Sequence, residues 1–174
     1  PLTRGQPGAS SFKFVDTTDP GQVISAMQGC DAVIHMAAIP NPRMASEAEV
    51  FRVNMMSNWA FLEAAEMHGI SKIVMASSVN AVGAVFSKGL TPRPYFPIDE
   101  EQPTFAEDAY SQSKWLGEEM ANAFVRRRPG ELQIASMRFH GLLTQDRQGE
   151  LRVRSDDGAP DENAPKHFWG WVDL

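Results

Sequence analysis

The chain has 174 residues, of which 43% are hydrophobic and 22% charged, and a formal net charge of −6; that is enough for one domain with a real core, in a composition ordinary for a globular protein. The acidic balance, with no basic cluster beyond Arg126-Arg127-Arg128, excludes a phosphate-neutralising nucleic-acid surface. The single cysteine, Cys30, excludes an intrachain disulfide and a cysteine-based zinc site, the four histidines lack metal-ligand spacing, and no apolar run is long enough to span a bilayer. With no membrane partner and no signal peptide in view, the expected compartment is cytoplasmic.

In chain order, Phe12 to Asp16 alternates like a short strand, and Asp19-Pro20 supplies an N-cap and an N1 proline for a helix to about Gln28. Residues 32–36 are a short apolar run, read as a buried parallel strand. After the Pro40-Asn41-Pro42 break, Ser46-Glu47-Ala48-Glu49 has the form of a capping box. A helix should run from it to His68, with Gly69 as the residue after the C-cap and Val50, Val53, Trp59, Leu62 and Ala65 on its apolar face. Residues 72–76 are the next strand. A long proline-bearing loop, 84–105, leads to a helix over 106–128 that Pro129-Gly130 ends and whose arginine triplet complements the dipole. Residues 132–138 are a strand and 142–166 a polar loop, with 155–160 the part least expected to be ordered. The β-α-β-α-β-α-β succession implies an α/β fold with a doubly wound parallel sheet.

The most telling stretch is Tyr110-Ser111-Gln112-Ser113-Lys114. On a helix, positions i and i+4 share a face, so a phenol and an ammonium sit one turn apart. The ammonium should favour the phenolate and pull the Tyr110 pKa down from about 10. A Tyr-x-x-x-Lys spacing alone also describes a solvated surface pair. The surrounding segments decide between the two. Lys72 to Ser78 followed by Gly83 resembles the strand and loop that carry the catalytic serine in the extended short-chain dehydrogenase/reductases, the NAD-dependent epimerase/dehydratase family. Residues 31–38 resemble that family's fourth strand, 14–16 the end of its third, 137–141 its sixth strand and following loop, and 168–173 its aromatic-Val-Asp segment.

The resemblance implies a Rossmann-like, doubly wound sheet whose first two strands are missing. Residues 1–174 would form an incomplete NAD(P)-binding domain, with 142–174 leading toward an absent substrate-binding region. The expected core sheet is 32–36, 72–76 and 132–138, with the 12–16 strand detached, paired out of family order or completed by another chain. The implied catalytic residues are Ser78, Tyr110 and Lys114: Ser78 exchanges a hydrogen bond with the substrate oxygen, Tyr110 moves the proton, and Lys114 holds the phenolate and contacts the nicotinamide ribose. Ser78 rather than Ser77 is chosen because it lies five positions before Gly83. Neighbouring residues at a strand end also point to opposite faces.

The implied cofactor is NAD or NADP, near Asp16, Thr17, Met36, Ala37, Ala38, Asn54, Phe139 and His140 in addition to Tyr110 and Lys114. Asn54 is equally readable as a satisfied core amide, and Asp16 as part of a strand-end turn. His35 reads as a core histidine, and Asp99, Glu100 and Glu101 as a solvated acidic run. Val79 and Asn80 stand where dehydratases of the family carry an acidic pair, which disfavours dehydration. Uronate dehydrogenases share the Ala-Ser-Ser strand end. The expected reaction is reversible oxidation of a secondary alcohol on a sugar or similar small molecule. The alternatives are a nucleotide-sugar epimerase, and a non-catalytic fragment or dinucleotide-binding scaffold. A small-molecule substrate is the expected partner, and a homodimer is the assembly to be tested. No Gly-x-Gly-x-x-Gly turn of the kind that receives a pyrophosphate occurs in the sequence.

Overall fold

The structure, a computed structural model, describes residues 12–83, 85–89, 94–143 and 171–173. Helix α1, Pro20–Met27, starts where Asp19 accepts a hydrogen bond from the Gln22 N–H at 3.2 Å and proline takes the first turn. Helix α2, Glu47–Met67, is capped by Ser46, which accepts from the Glu49 N–H at 3.3 Å. Only this half of the expected capping box forms, because the Glu49 carboxylate is forked by Arg52 at 2.8 Å through both oxygens. The end of α2 is a Schellman turn: Gly69, at φ +68°, donates to Glu66 O and Ile70 donates to Ala65 O.

Strand β1, Ala32–His35, lies beside β2, Lys72–Ser78, which lies beside β3, Gln133–Phe139. All three are parallel, with Ala32 opposite Lys72 and Lys72 opposite Gln133. This is the core sheet that the sequence predicts. Between β2 and β3 runs α3, Ala109–Arg127. It begins three residues later than expected, because Asp108 is its cap, accepting from Ser111 N at 2.9 Å, and Thr104 ties 104–106 into the loop through Ala81 O and Ala106 N. Arg126 and Arg127 do occupy its last turn. Arg127 additionally stacks over Phe124 and pairs with Glu66.

Two sequence readings need correction, and the expected detachment of the first segment holds: residues 12–16 join no ladder among the described residues, Phe12 packs edge-on against Phe14, and Lys13 donates to Ser25 O. An alternating pattern makes a strand only where another backbone offers partners. The 32–36 strand is not buried on both faces. Ala32 and Ile34 are exposed, because α1, α2 and α3 pack together on the opposite face with Ile73 and Met75, around Phe61, Leu62 and Phe124. The stretch read as loop from residue 142 begins as a strand: β4, Gly141–Leu143, pairs in parallel with β5, Trp171–Asp173. The apolar pair Leu142-Leu143 and the Trp-Val segment carry no proline to block a ladder. Residues 1–11 and 155–160 lie outside the described residues.

Candidate active site

Three side chains meet where β2 runs out. Ser78 is its last residue and caps a 3₁₀ turn, Val79–Val82, which Gly83 closes at φ +69°. A side chain at Gly83 would drive its Cβ to 2.4 Å from the Phe105 carbonyl carbon, so glycine lets the long loop return against this turn. There the Phe105 N–H donates to Val82 O at 3.0 Å. The returning loop delivers α3, whose first turn carries Tyr110.

Tyr110 is only 7% exposed, edge-on to Phe86 with ring centroids 6.0 Å apart. Burial pushes its phenol above the usual pKa, a hydrogen bond with Ser78 pulls the other way, and the Asp108 charge adds to the rise. The expected downward pull from Lys114 is therefore not the dominant effect. The Lys114 ammonium stands 5.7 Å from the ring centroid and donates to the Ala76 carbonyl at 2.6 Å instead. Burial lowers the Lys114 pKa itself to about 8.

Both serines of the pair reach α3, not opposite sides of the sheet. Ser78 meets Tyr110 in its first turn, while Ser77 donates to the Glu118 carboxylate two turns on. Glu118 is also forked by Arg138 of β3, through Nε at 3.0 Å and Nη2 at 2.8 Å. Ser77 and Arg138 are register partners. One carboxylate thus braces α3 against the carboxyl ends of two strands.

Asn54 is buried, and its amide is fully used by protein. Its oxygen accepts from Ile39 N at 2.8 Å, and its NH2 donates to Ile39 O and to Ser113 Oγ. Ser113 in turn donates to the Tyr110 carbonyl. Asn54 therefore clamps the loop after β1 to the tyrosine helix and presents no free polar atom of its own. Met36, Ala37 and Ala38 lead out of β1 at that clamp, with Met36 exposed. Phe139 is the register partner of Ser78, and His140 follows it, so both lie at the same end of the sheet. Asp16 closes a turn on Thr18 N and Oγ1, and its N–H donates to Gln22; no contact joins Asp16 or Thr17 to the serine–tyrosine group.

His35 is a core residue. Its ring stacks on Phe61 at 4.4 Å, its Nε2 meets Asn58 Oδ1 at 3.0 Å, and burial lowers its pKa to about 4. Asn58 lies so close to Gly117 that a Cβ there would come within 2.6 Å of its amide nitrogen. The acidic run is exposed, with Asp99 accepting from the Tyr95 hydroxyl at 2.7 Å. Sequence reasoning missed Glu118, Arg138 and Asn80. The first lies four residues beyond Lys114 and eight beyond Tyr110, on the same helical face, and the second is an arginine in an otherwise apolar strand. Asn80 carried no such signal.

The model of the NAD dependent epimerase/dehydratase family matches residues 2–151. The L-arabinose 1-dehydrogenase (NAD(P)(+)) of Haloferax volcanii is 29% identical over 163 residues, covering 90% of this chain and 61% of that protein. The NAD-dependent glucose-6-phosphate dehydrogenase of the same organism is 32% identical over 135 residues, covering 75% of this chain and 50% of that protein. Among solved structures, UDP-glucose 4-epimerase from Brucella ovis in complex with NAD aligns with a TM-score of 0.66 at 21% identity, over 80% of this chain and 41% of that one, a likeness of fold. The chain thus spans 61% and 50% of the lengths of the two dehydrogenases. With a match that runs over residues 2–151 and a parallel sheet of the corresponding kind, the chain belongs to the NAD dependent epimerase/dehydratase family.

Proposed function

We propose that this chain carries the catalytic half-site of an NAD(P)-dependent oxidoreductase that interconverts a secondary alcohol and a ketone, or a lactol and a lactone, on a sugar or similar small molecule. The observation that carries this reading is the convergence of Ser78, Tyr110 and Lys114 at the carboxyl end of a parallel sheet. Tyr110 is the proton-transferring group. In the oxidative direction its phenolate takes the hydroxyl proton of the substrate, and in the reductive direction its phenol returns it. Ser78 donates a hydrogen bond to the oxygen that changes charge. Lys114 stabilises the phenolate once the site is filled. In its resting position the ammonium is held by the Ala76 carbonyl, and two of its three hydrogens have no protein partner among the described residues.

The family's cofactor fits these residues. An ammonium with hydrogens to spare and no carboxylate upon it suits ribose hydroxyls, and the small residues Ala37 and Ala38 at the end of β1 suit close approach to a dinucleotide. Lys114, Tyr110, Met36, Ala37, Ala38, Phe139 and His140 would hold it, with Asn54 shaping the Ile39 loop and Asp16 and Thr17 set further along. When bound, NAD or NADP accepts or returns the hydride. Dehydrogenase chemistry is favoured over dehydration because Val79 and Asn80 offer no acid beside Ser78, and over epimerisation because the relatives that cover 90% and 75% of this chain are sugar dehydrogenases, beside a putative UDP-glucose 4-epimerase at 72%. The test is a panel of aldoses, uronates and sugar phosphates with NAD and NADP, followed by nicotinamide absorbance in the full-length protein. Tyr110→Phe should remove most turnover and leave cofactor affinity nearly intact, while Lys114→Ala should damage both. Unchanged turnover in Tyr110→Phe would overturn the assignment.

A further inference from the structure

Ser78 is polarised from behind. Its oxygen accepts from the Asn80 backbone N–H at 3.1 Å and from the Asn80 side-chain Nδ2 at 3.1 Å. A serine hydroxyl has two acceptor lone pairs and one hydrogen. With both acceptor positions taken by one residue, the hydroxyl retains only its donor capacity, and Tyr110 is the hydrogen-bonding partner in front of it. Asn80 is itself fixed. It sits in the 3₁₀ turn, its carbonyl accepts from Gly83 N at 2.8 Å, and the Phe105 backbone packs so closely on Gly83 that no Cβ fits there.

We infer that Asn80 is a positioning residue, which fills the acceptor side of Ser78 so that the serine hydrogen is delivered to the Tyr110 oxygen and, with substrate present, to the substrate oxygen. A hydrogen bond donated by Ser78 favours the phenolate and so pulls the phenol pKa down against the effect of burial. The charged groups nearest the phenol are Asp108, which caps α3, and Lys114 on α3 itself, and the facing 3₁₀ turn and Phe86 bring no charge. The Asn80–Ser78 pair is therefore the polar influence arriving from the strand side. The inference rests on the proton-transfer reading above, in which a donor at Ser78 is useful in both directions of reaction.

The chain has two tyrosines, Tyr95 and Tyr110, so a Tyr95→Phe chain grown with 3-fluorotyrosine reports on Tyr110 through one fluorine resonance. Titrating that resonance needs neither substrate nor turnover. Asn80→Ala should raise the phenol midpoint, and Ser78→Ala should raise it at least as far. Adding Asn80→Ala to Ser78→Ala should raise it no further, because Asn80 acts through the serine. Asn80→Leu, which keeps the branched shape without the NH2, serves if the alanine variant loses its far-ultraviolet circular dichroism, and should give the same rise. A midpoint unmoved in the folded variant, or a rise of equal size with and without Ser78, would overturn the inference. With an identified substrate, Asn80→Ala in the full-length protein should lower kcat several-fold at unchanged cofactor KM and move the pH profile in the direction of the fluorine midpoint. A protein with no turnover on any substrate would sink the functional reading, while the fluorine titration would still decide the role of Asn80.

Discussion

On the face of the sheet that carries α1, α2 and α3, Ile73 and Met75 are 3% and 4% exposed, whereas on the other face Ile34 and Met137 are 71% and 46% exposed. The residue types are alike, so the difference comes from what packs on them. Burial of apolar area provides most of the folding free energy, and here one face collects it. The Ser78–Tyr110 group draws on the packed face for its position. Ser77 and Arg138 reach Glu118 of α3, and Asn54 of α2 reaches Ser113, so the helices that make the core also set the position of Tyr110.

The sharpest way to break this comparison is a pair of truncations. Phe124→Ala, in the packed core, should cost about 3–5 kcal/mol, while Ile34→Ala on the open face should stay within about 0.5 kcal/mol, both read from urea unfolding. Equal costs would mean that the open face is covered in solution. Acid probes the packed side next. His35 is held neutral with a folded pKa near 4, below its ordinary 6.5, so the stability it allows is fully present above pH 6.5 and is lost as the pH falls towards 4. The loss should reach up to about 3 kcal/mol, and His35→Phe should flatten that stretch of the stability-against-pH curve.

Glu118→Gln keeps the shape of the brace but removes the charge that Arg138 forks, in a pair whose side chains are 23% and 14% exposed, arginine first. Its expected cost is about 2 kcal/mol in thermal or urea unfolding. The smallest effect should have the opposite sign. Lys114→Met removes a desolvated ammonium whose folded pKa of about 8 lies below its ordinary 10.5, and so should stabilise the fold near pH 7 by about 1 kcal/mol while abolishing function. A Lys114→Met variant less stable than the parent would make the lysine a structural residue.

Much of the architecture was legible in the sequence because it rests on local signals. Asp19-Pro20, Ser46 and Gly69 are caps and stops that act within a few residues, and the core sheet follows from three apolar runs separated by two helices. What stayed hidden depends on partners remote in sequence. Residues 12–16 alternate correctly yet have no ladder among the described residues, and Ile34 looks as buried as Ile73 until the layers are seen. The tyrosine–lysine pair was readable from helical spacing, but the balance of influences on the phenol was not. Burial against Phe86 and the pull of the Ala76 carbonyl on Lys114 come from other elements. Asn80 was seen only as the absence of an acid, because its contacts run backwards to the serine that precedes it.

The position of β1 at the rim of the three-stranded sheet has a consequence for solvent exchange. In a parallel strand the N–H groups of alternate residues point to opposite sides. β2 has a neighbour on each side, so its amides should exchange hydrogen for deuterium slowly along its whole length. β1 has a neighbour on one side only among the described residues, so every second amide between Ala32 and His35 should exchange orders of magnitude faster than the one before it. A two-residue rhythm of deuterium uptake in β1, beside uniform protection in β2, would be the kinetic imprint of that rim.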